Sequence, residues 1–172
     1  NLLRELLGTE ELRSLLDLDV IEELEAELQR LAEGWRARDL DEVHDLLRLL
    51  GPLSLDDLEL RSTFAGDEST VQGLLAELVH RRRAIEVSIG GEHRFADAAD
   101  AAKLRDALGV SLPPGLPATF TEPVDSPSQS LFERFARVRG PFTASEVTTP
   151  FGVSRETVTL QLRELERIGR LL

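Results

Sequence analysis

Leu46-Leu47-Arg48-Leu49-Leu50-Gly51-Pro52-Leu53-Ser54-Leu55-Asp56-Asp57-Leu58 is matched, without a gap, by Phe135-Ala136-Arg137-Val138-Arg139-Gly140-Pro141-Phe142-Thr143-Ala144-Ser145-Glu146-Val147. Each copy is an apolar-periodic run, a Gly-Pro turn, one apolar residue and then a hydroxyl residue with an acid three positions later. Ser54 and Thr143 stand where a helix N-cap is needed, and Asp57 and Glu146 complete a capping box. Each copy therefore reads as one helix closing and a second opening, and the recurrence makes the chain a repeat before it is anything else.

The match resumes two residues out of step. Asp67 falls against Ser154, Val71 against Val158, Leu75 against Leu162, Leu78 against Leu165 and Ile85 against Leu172, so the first copy has the longer loop, around Phe64 to Asp67, before its third helix. That helix leads into Ala84-Ile85-Glu86-Val87-Ser88-Ile89, Gly90-Gly91 and Glu92-His93-Arg94-Phe95-Ala96, where β-branched alternation around Gly-Gly predicts a hairpin. Helix, turn, helix, loop, helix and hairpin make a winged helix with the third helix in the recognition position.

The fold expected is mainly α with small β-hairpin wings: tandem winged-helix, or helix-turn-helix, modules preceded by an acidic helical segment. Residues 1–37 carry Leu, Ile and Val at three- and four-residue spacing, with Glu22, Glu23, Glu25 and Glu27 among the acids on the polar side. The first module spans 38–109, ending in a helix from Asp97 to Leu108 capped by Gly109. A connector over 110–127 holds Pro113, Pro114, Pro117, Pro123 and Pro127 and should be extended, with Phe120 tying it to a neighbouring surface. The second module, 128–172, stops before its wing, and the chain reads as a piece of a longer protein. Trp35, the sole tryptophan, is expected to pack against the first module, base stacking being the alternative.

Composition narrows the chemistry. With no cysteine and only His44, His80 and His93, scattered, neither a disulfide framework nor structural zinc is expected. No apolar run nears the roughly 20 residues of a membrane span and no signal peptide is evident, so the cytoplasm is expected. A formal charge of −12 excludes a surface that is basic all over, which confines any phosphate contact to local patches. Lys103, the one lysine, lies in an alanine-rich helix rather than a phosphate loop, so no ATP site is expected here.

Glu5-Leu6-Leu7-Gly8-Thr9-Glu10-Glu11-Leu12-Arg13, the helix end Glu25-Ala26-Glu27-Leu28-Gln29-Arg30-Leu31 and the turn Leu49-Leu50-Gly51-Pro52-Leu53-Ser54 resemble the C-terminal region of bacterial large helicase-related proteins. Leu78 to Ile85, Asp97 to Gly109 and Pro113-Pro114-Gly115 extend the resemblance over nearly the whole chain. It implies a parent that is an ATP- and Mg-dependent superfamily 2 DNA helicase in DNA repair, with a string of winged helices beyond the motor. It also implies a likeness to bacterial glycosylases that unhook crosslinks; their glutamine-x-glutamine signature is absent here, and no catalytic residue carries over.

The DNA-contact candidates are His80, Arg81, Arg82 and Arg83 at the end of the first recognition-position helix, Gln72 near its start, and Arg94 in the wing. In the second copy they are Arg155, Thr157, Thr159 and Arg163, among which Glu156, Glu164 and Glu166 would repel phosphate. The bland alternatives are helix C-capping, pairing of the arginines with the acidic N-terminal helices, and ordinary solvated faces. No metal, cofactor or catalytic dyad is expected in this segment. The expected partners are single-stranded or forked DNA, other domains of the parent, and a possible homo-oligomer. The competing reading is a structural or oligomerisation segment, or part of a glycosylase-like domain.

Overall fold

The computed structural model describes residues 18–64 and 70–171. Expectations about residues 1–17, about the loop after Phe64 and about Leu172 lie outside them. Helix α1 (Leu18–Leu28) is followed by a 3-10 turn (Glu33–Trp35), then α2 (Leu40–Leu50), α3 (Leu55–Leu60) and α4 (Val71–His80). The hairpin β1 (Ala84–Ile89) and β2 (Glu92–Asp97) leads through a 3-10 turn (Ala98–Asp100) to α5 (Ala101–Leu108). After a further turn (Ala118–Phe120) come α6 (Pro127–Arg137), α7 (Ala144–Phe151) and α8 (Arg155–Arg167).

The caps follow the sequence. Asp39 accepts from the Asp41 and Glu42 amides to start α2, and Gly51 ends that helix at φ 93°. Both expected capping boxes form, Ser54 with Asp57 on α3 and Thr143 with Glu146 on α7. Thr70 caps α4 and Ser154 caps α8, so α8 begins earlier in the repeat than α4 does. Two of the aligned pairs are buried alike, Val71 with Val158 and Leu78 with Leu165, whereas Leu75 is buried and its counterpart Leu162 only partly so.

β1 and β2 pair antiparallel from Ala84 with Asp97 to Ile89 with Glu92, turning at Gly90-Gly91 with both φ positive, as a type I′ turn requires. Leu53, just after the Gly-Pro turn, exchanges backbone hydrogen bonds with Phe95 in both directions, at 2.9 and 2.8 Å. That bridge locks the hairpin to the start of α3 as a wing.

The hairpin has two apolar sides, and each belongs to a different core. Ala84 and Phe95 join Leu53, Val43, Leu46, Leu47, Leu58, Leu75 and Leu78 in the core of the first module. Ile85, Val87, Ile89 and Ala96 join Leu104, Leu131, Phe132, Phe135, Val147, Phe151, Val158 and Leu165. Thus the wing is sandwiched between the modules, and α5, expected as the tail of the first module, packs with the core of the second. The connector carries a turn at Pro114-Gly115 and the 3-10 turn, with bends beyond it, and Leu112, Leu116 and Phe120 rest on the same core.

At the wing tip the two modules meet backbone to backbone. A Cβ on Gly152, in the turn between α7 and α8, would lie 2.8 Å from the backbone of Gly90, so the two loops touch main chain to main chain. The turn that closes α1 ties the modules from the other side: Gln29 donates from Nε2 to the Val138 carbonyl at 2.8 Å, while Arg61 Nε donates to the Gln29 carbonyl at 3.0 Å. A further tie is Asp100, buried and held by Arg134 of α6 and by Lys103.

Candidate nucleic-acid interface

The basic run at the end of α4 is divided by its surroundings. Arg81 pairs with Glu77 one turn back at 2.6 Å. Arg83 is turned inward to Asp41 at 2.7 Å, and its guanidinium lies 3.0 Å from His44 Nδ1, tying α4 to α2. His80 and Arg82 are exposed and make no ion pair among the described residues, Arg82 in a left-handed turn at φ 58°. The cluster is therefore two free groups, one helix-surface pair and one structural clamp. The clamp's partner is α2 rather than the acidic N-terminal helix expected from sequence.

Arg94 is a correction. Its register opposite Val87 puts it on the side of the hairpin that the second module covers, and its side chain is only 8% exposed. Arg94 donates to Glu92 at 2.6 Å and lines a small cavity of about 70 Å³ with Arg61, Arg139, Asp57 and Phe135. From there it cannot reach a DNA backbone. The wing tip, whose Gly-Gly serves the tight turn, lies against the turn between α7 and α8, Gly90 meeting Gly152 backbone to backbone.

At this junction burial lowers the Arg61 guanidinium below its ordinary pKa, with Asp57 pulling the other way. Burial also works to raise the Asp57 carboxyl, but the Ser54 hydrogen bonds and Arg61 together outweigh it and hold that carboxyl below the usual range. Such mutual holding makes this a structural network.

The two recognition-position helices present different faces. On α4 the exposed residues include Gln72, Gly73, Ala76 and His80, a nearly uncharged strip. On α8, Arg155, Thr157 and Arg163 are exposed and Thr159 is half-buried; neither arginine has an ion-pair partner among the described residues. The Thr157 hydroxyl is engaged with the Ser154 cap at 3.0 Å, and Thr159 Oγ1 donates back to the Arg155 carbonyl at 2.7 Å. Of the threonines, then, neither is held ready for a base, whereas Arg155 and Arg163 project freely. Glu164 is neutralised by Arg167, which holds its carboxyl below the usual range.

Sequence reasoning gave Trp35 too little weight. The ring is 49% exposed on a cleft with Arg30, Arg36, Arg38 and Arg48 instead of packed into the first module. The signal was present in Arg30 and in Gly34-Trp35-Arg36-Ala37-Arg38, where a lone indole sits among arginines in an otherwise acidic chain. Among the described residues no group of three or more His, Asp or Glu is placed to hold a metal ion, and no helix is long and apolar enough to cross a membrane.

Known sequences agree with this architecture. A family model described as the winged-helix domain of the large helicase-related protein matches residues 14–123. The chain is 41% identical over 171 residues to a Mycolicibacterium smegmatis protein named Lhr helicase/probable uracil glycosylase, and 40% identical over 171 residues to the Escherichia coli K12 protein named Lhr helicase/uracil glycosylase. Each alignment takes in 99% of this chain and 11% of the relative, so the chain corresponds to a small part of those proteins. A repeat of capped helices with a two-stranded wing, matched over most of its length by that family's winged-helix domain, places the chain in the large helicase-related family.

Proposed function

We propose that this segment is a non-catalytic DNA-guiding module of a DNA helicase, docking duplex against α8 beside an ATP- and Mg-dependent motor that lies elsewhere in the parent. The observation that carries this reading is α8, where Arg155 and Arg163 are exposed and have no ion-pair partner among the described residues on the recognition-position helix. The names of the relatives support the motor, and repair in the cytoplasm follows from the same reading. Their glycosylase activity is said of those proteins; base excision needs an extruded base in a fitted pocket, and we assign no residue here to it.

Fluorescence anisotropy with forked, duplex and single-stranded DNA across a salt series tests the proposal. Binding should be salt-sensitive, and Arg155→Ala with Arg163→Ala should weaken duplex affinity and flatten the slope of log K against log salt by about one to two. Arg81→Ala should change little, because that charge is already paired. No binding at low salt would overturn the DNA reading.

Assembly is the second reading, and α1 favours it. Leu24 is 54% exposed on this acidic helix, an apolar side chain suited to another domain of the parent or to a second copy.

A further inference from the structure

We propose that the cleft at Trp35 is a second nucleic-acid site, distinct from α8, that stacks an unpaired base of a single strand on the indole while Arg30 and Arg36 meet the flanking phosphates. Three independent observations converge on it.

The first is the ending of α1. Arg30 N–H bonds to the Glu27 carbonyl at 3.0 Å and Leu31 N–H to the Ala26 carbonyl at 2.8 Å, a closing turn whose left-handed residue is ordinarily glycine. Here it is Arg30, at φ 59°. A non-glycine residue held in this region points to a use for its side chain when that side chain is engaged, and this one carries its guanidinium to 4.7 Å from the centre of the Trp35 ring.

The second is charge. The cleft, about 500 Å³, is lined by four arginines against Glu42 and Asp45. Glu42 neutralises Arg38 through two contacts and Asp45 neutralises Arg48. Arg30 and Arg36 have no carboxylate partner among the described residues; Arg36 spends Nε on the Leu31 carbonyl and keeps its other donors. The cleft is thus a locally positive spot on a chain of net charge −12.

The third is shape. An indole 49% exposed, with the Arg30 guanidinium over its ring, suits a base with an open π-face, which duplex DNA does not offer because its bases are already stacked.

Trp35 is the only tryptophan, so its emission reports this cleft and nothing else. Titrating the chain at low salt with oligo(dT) should quench it to saturation, while a blunt duplex should leave it unchanged. By anisotropy, Trp35→Ala should weaken oligo(dT) binding about tenfold and Trp35→Phe less. Arg30→Gly should raise the melting temperature, by relieving the left-handed strain, yet weaken oligo(dT) binding several-fold. That opposed pair of effects separates a site residue from a structural one. Oligo(dT) binding without quenching, unchanged affinity in Trp35→Ala, or equal quenching by polyglutamate would overturn the proposal, the last in favour of an acidic peptide. Duplex binding through α8 is read separately by Arg155→Ala with Arg163→Ala, so either site can fail alone.

Discussion

Both modules turn from their first helix to their second at Gly-Pro, but the glycine is there for different reasons. Gly51 needs its freedom of conformation, at φ 93°, to end α2. Gly140 is not in the left-handed region; a Cβ there would come 3.0 Å from Ile21 and 3.2 Å from Glu25, and its amide donates to Glu25 at 3.3 Å. Gly140 only admits a neighbour, whereas Gly51 shapes the chain and also lies where a Cβ would come 3.2 Å from Arg134. The same contrast recurs one residue beyond the proline: Leu53 pairs its backbone with the wing, whereas Phe142 lies edge-on to Phe135 at 5.3 Å beside an open groove. The first copy of the template has become a surface for packing within the chain, and the second carries on its third helix, α8, two exposed arginines that have no ion-pair partner among the described residues.

If the two cores are joined through the wing that belongs to both, damage on one side must be felt on both. Phe132, fully buried among the residues that cover the wing, should cost about 3–5 kcal/mol as Phe132→Ala. Denaturation followed by circular dichroism and by Trp35 emission should then shift together; two separated transitions would break the comparison and restore independent modules.

Next in size is the wing-tip contact. Gly152→Ala places a side chain at φ 60° and against the Gly90 backbone, and should cost about 2–3 kcal/mol. Gly91→Ala, with nothing within 4 Å, carries the turn strain without the clash and should cost less. Urea melts of the two variants measure the contact by difference, and equal losses would remove it.

The smallest effect compares the capping boxes. Asp57 and Glu146 are both held below the usual carboxylate range, Asp57 against the effect of burial and Glu146 chiefly by the Thr143 amide. A carboxyl depressed in the folded state stabilises above its unfolded pKa, and that contribution is lost as pH falls through the folded value. Asp57→Asn should therefore cost about 1 kcal/mol at pH 7, shrinking as the pH drops below about 4. Glu146→Gln, on an exposed box without an arginine clamp, should cost less, and the reverse order would contradict the tighter build of the first module.

What sequence could reveal was whatever adjacent residues decide. The boxes at Ser54 and Thr143, the caps, the Gly-Gly hairpin and the order of helices were legible because each rests on residues a few positions apart. The allegiance of the wing was not, since Ile85, Val87 and Ile89 announce a buried side without naming what buries it. Arg94 was misplaced for that reason: its charge argued for solvent, and only the pairing with Val87 turns it inward. Trp35 was misjudged in the opposite sense, because a tryptophan after a helix usually packs.

A wing that needs both modules also sets an order of events during synthesis. Ile85, Val87, Ile89 and Ala96 leave the ribosome long before Phe132, Phe151 and Leu165, which cover them. At about 5–20 residues per second, the hairpin waits several seconds with an apolar face and a pairing edge open to whatever lies nearby. The nascent first module is for that interval an adhesive object, and chaperones, neighbouring chains or its own acidic N-terminal region compete for the place that the second module eventually takes.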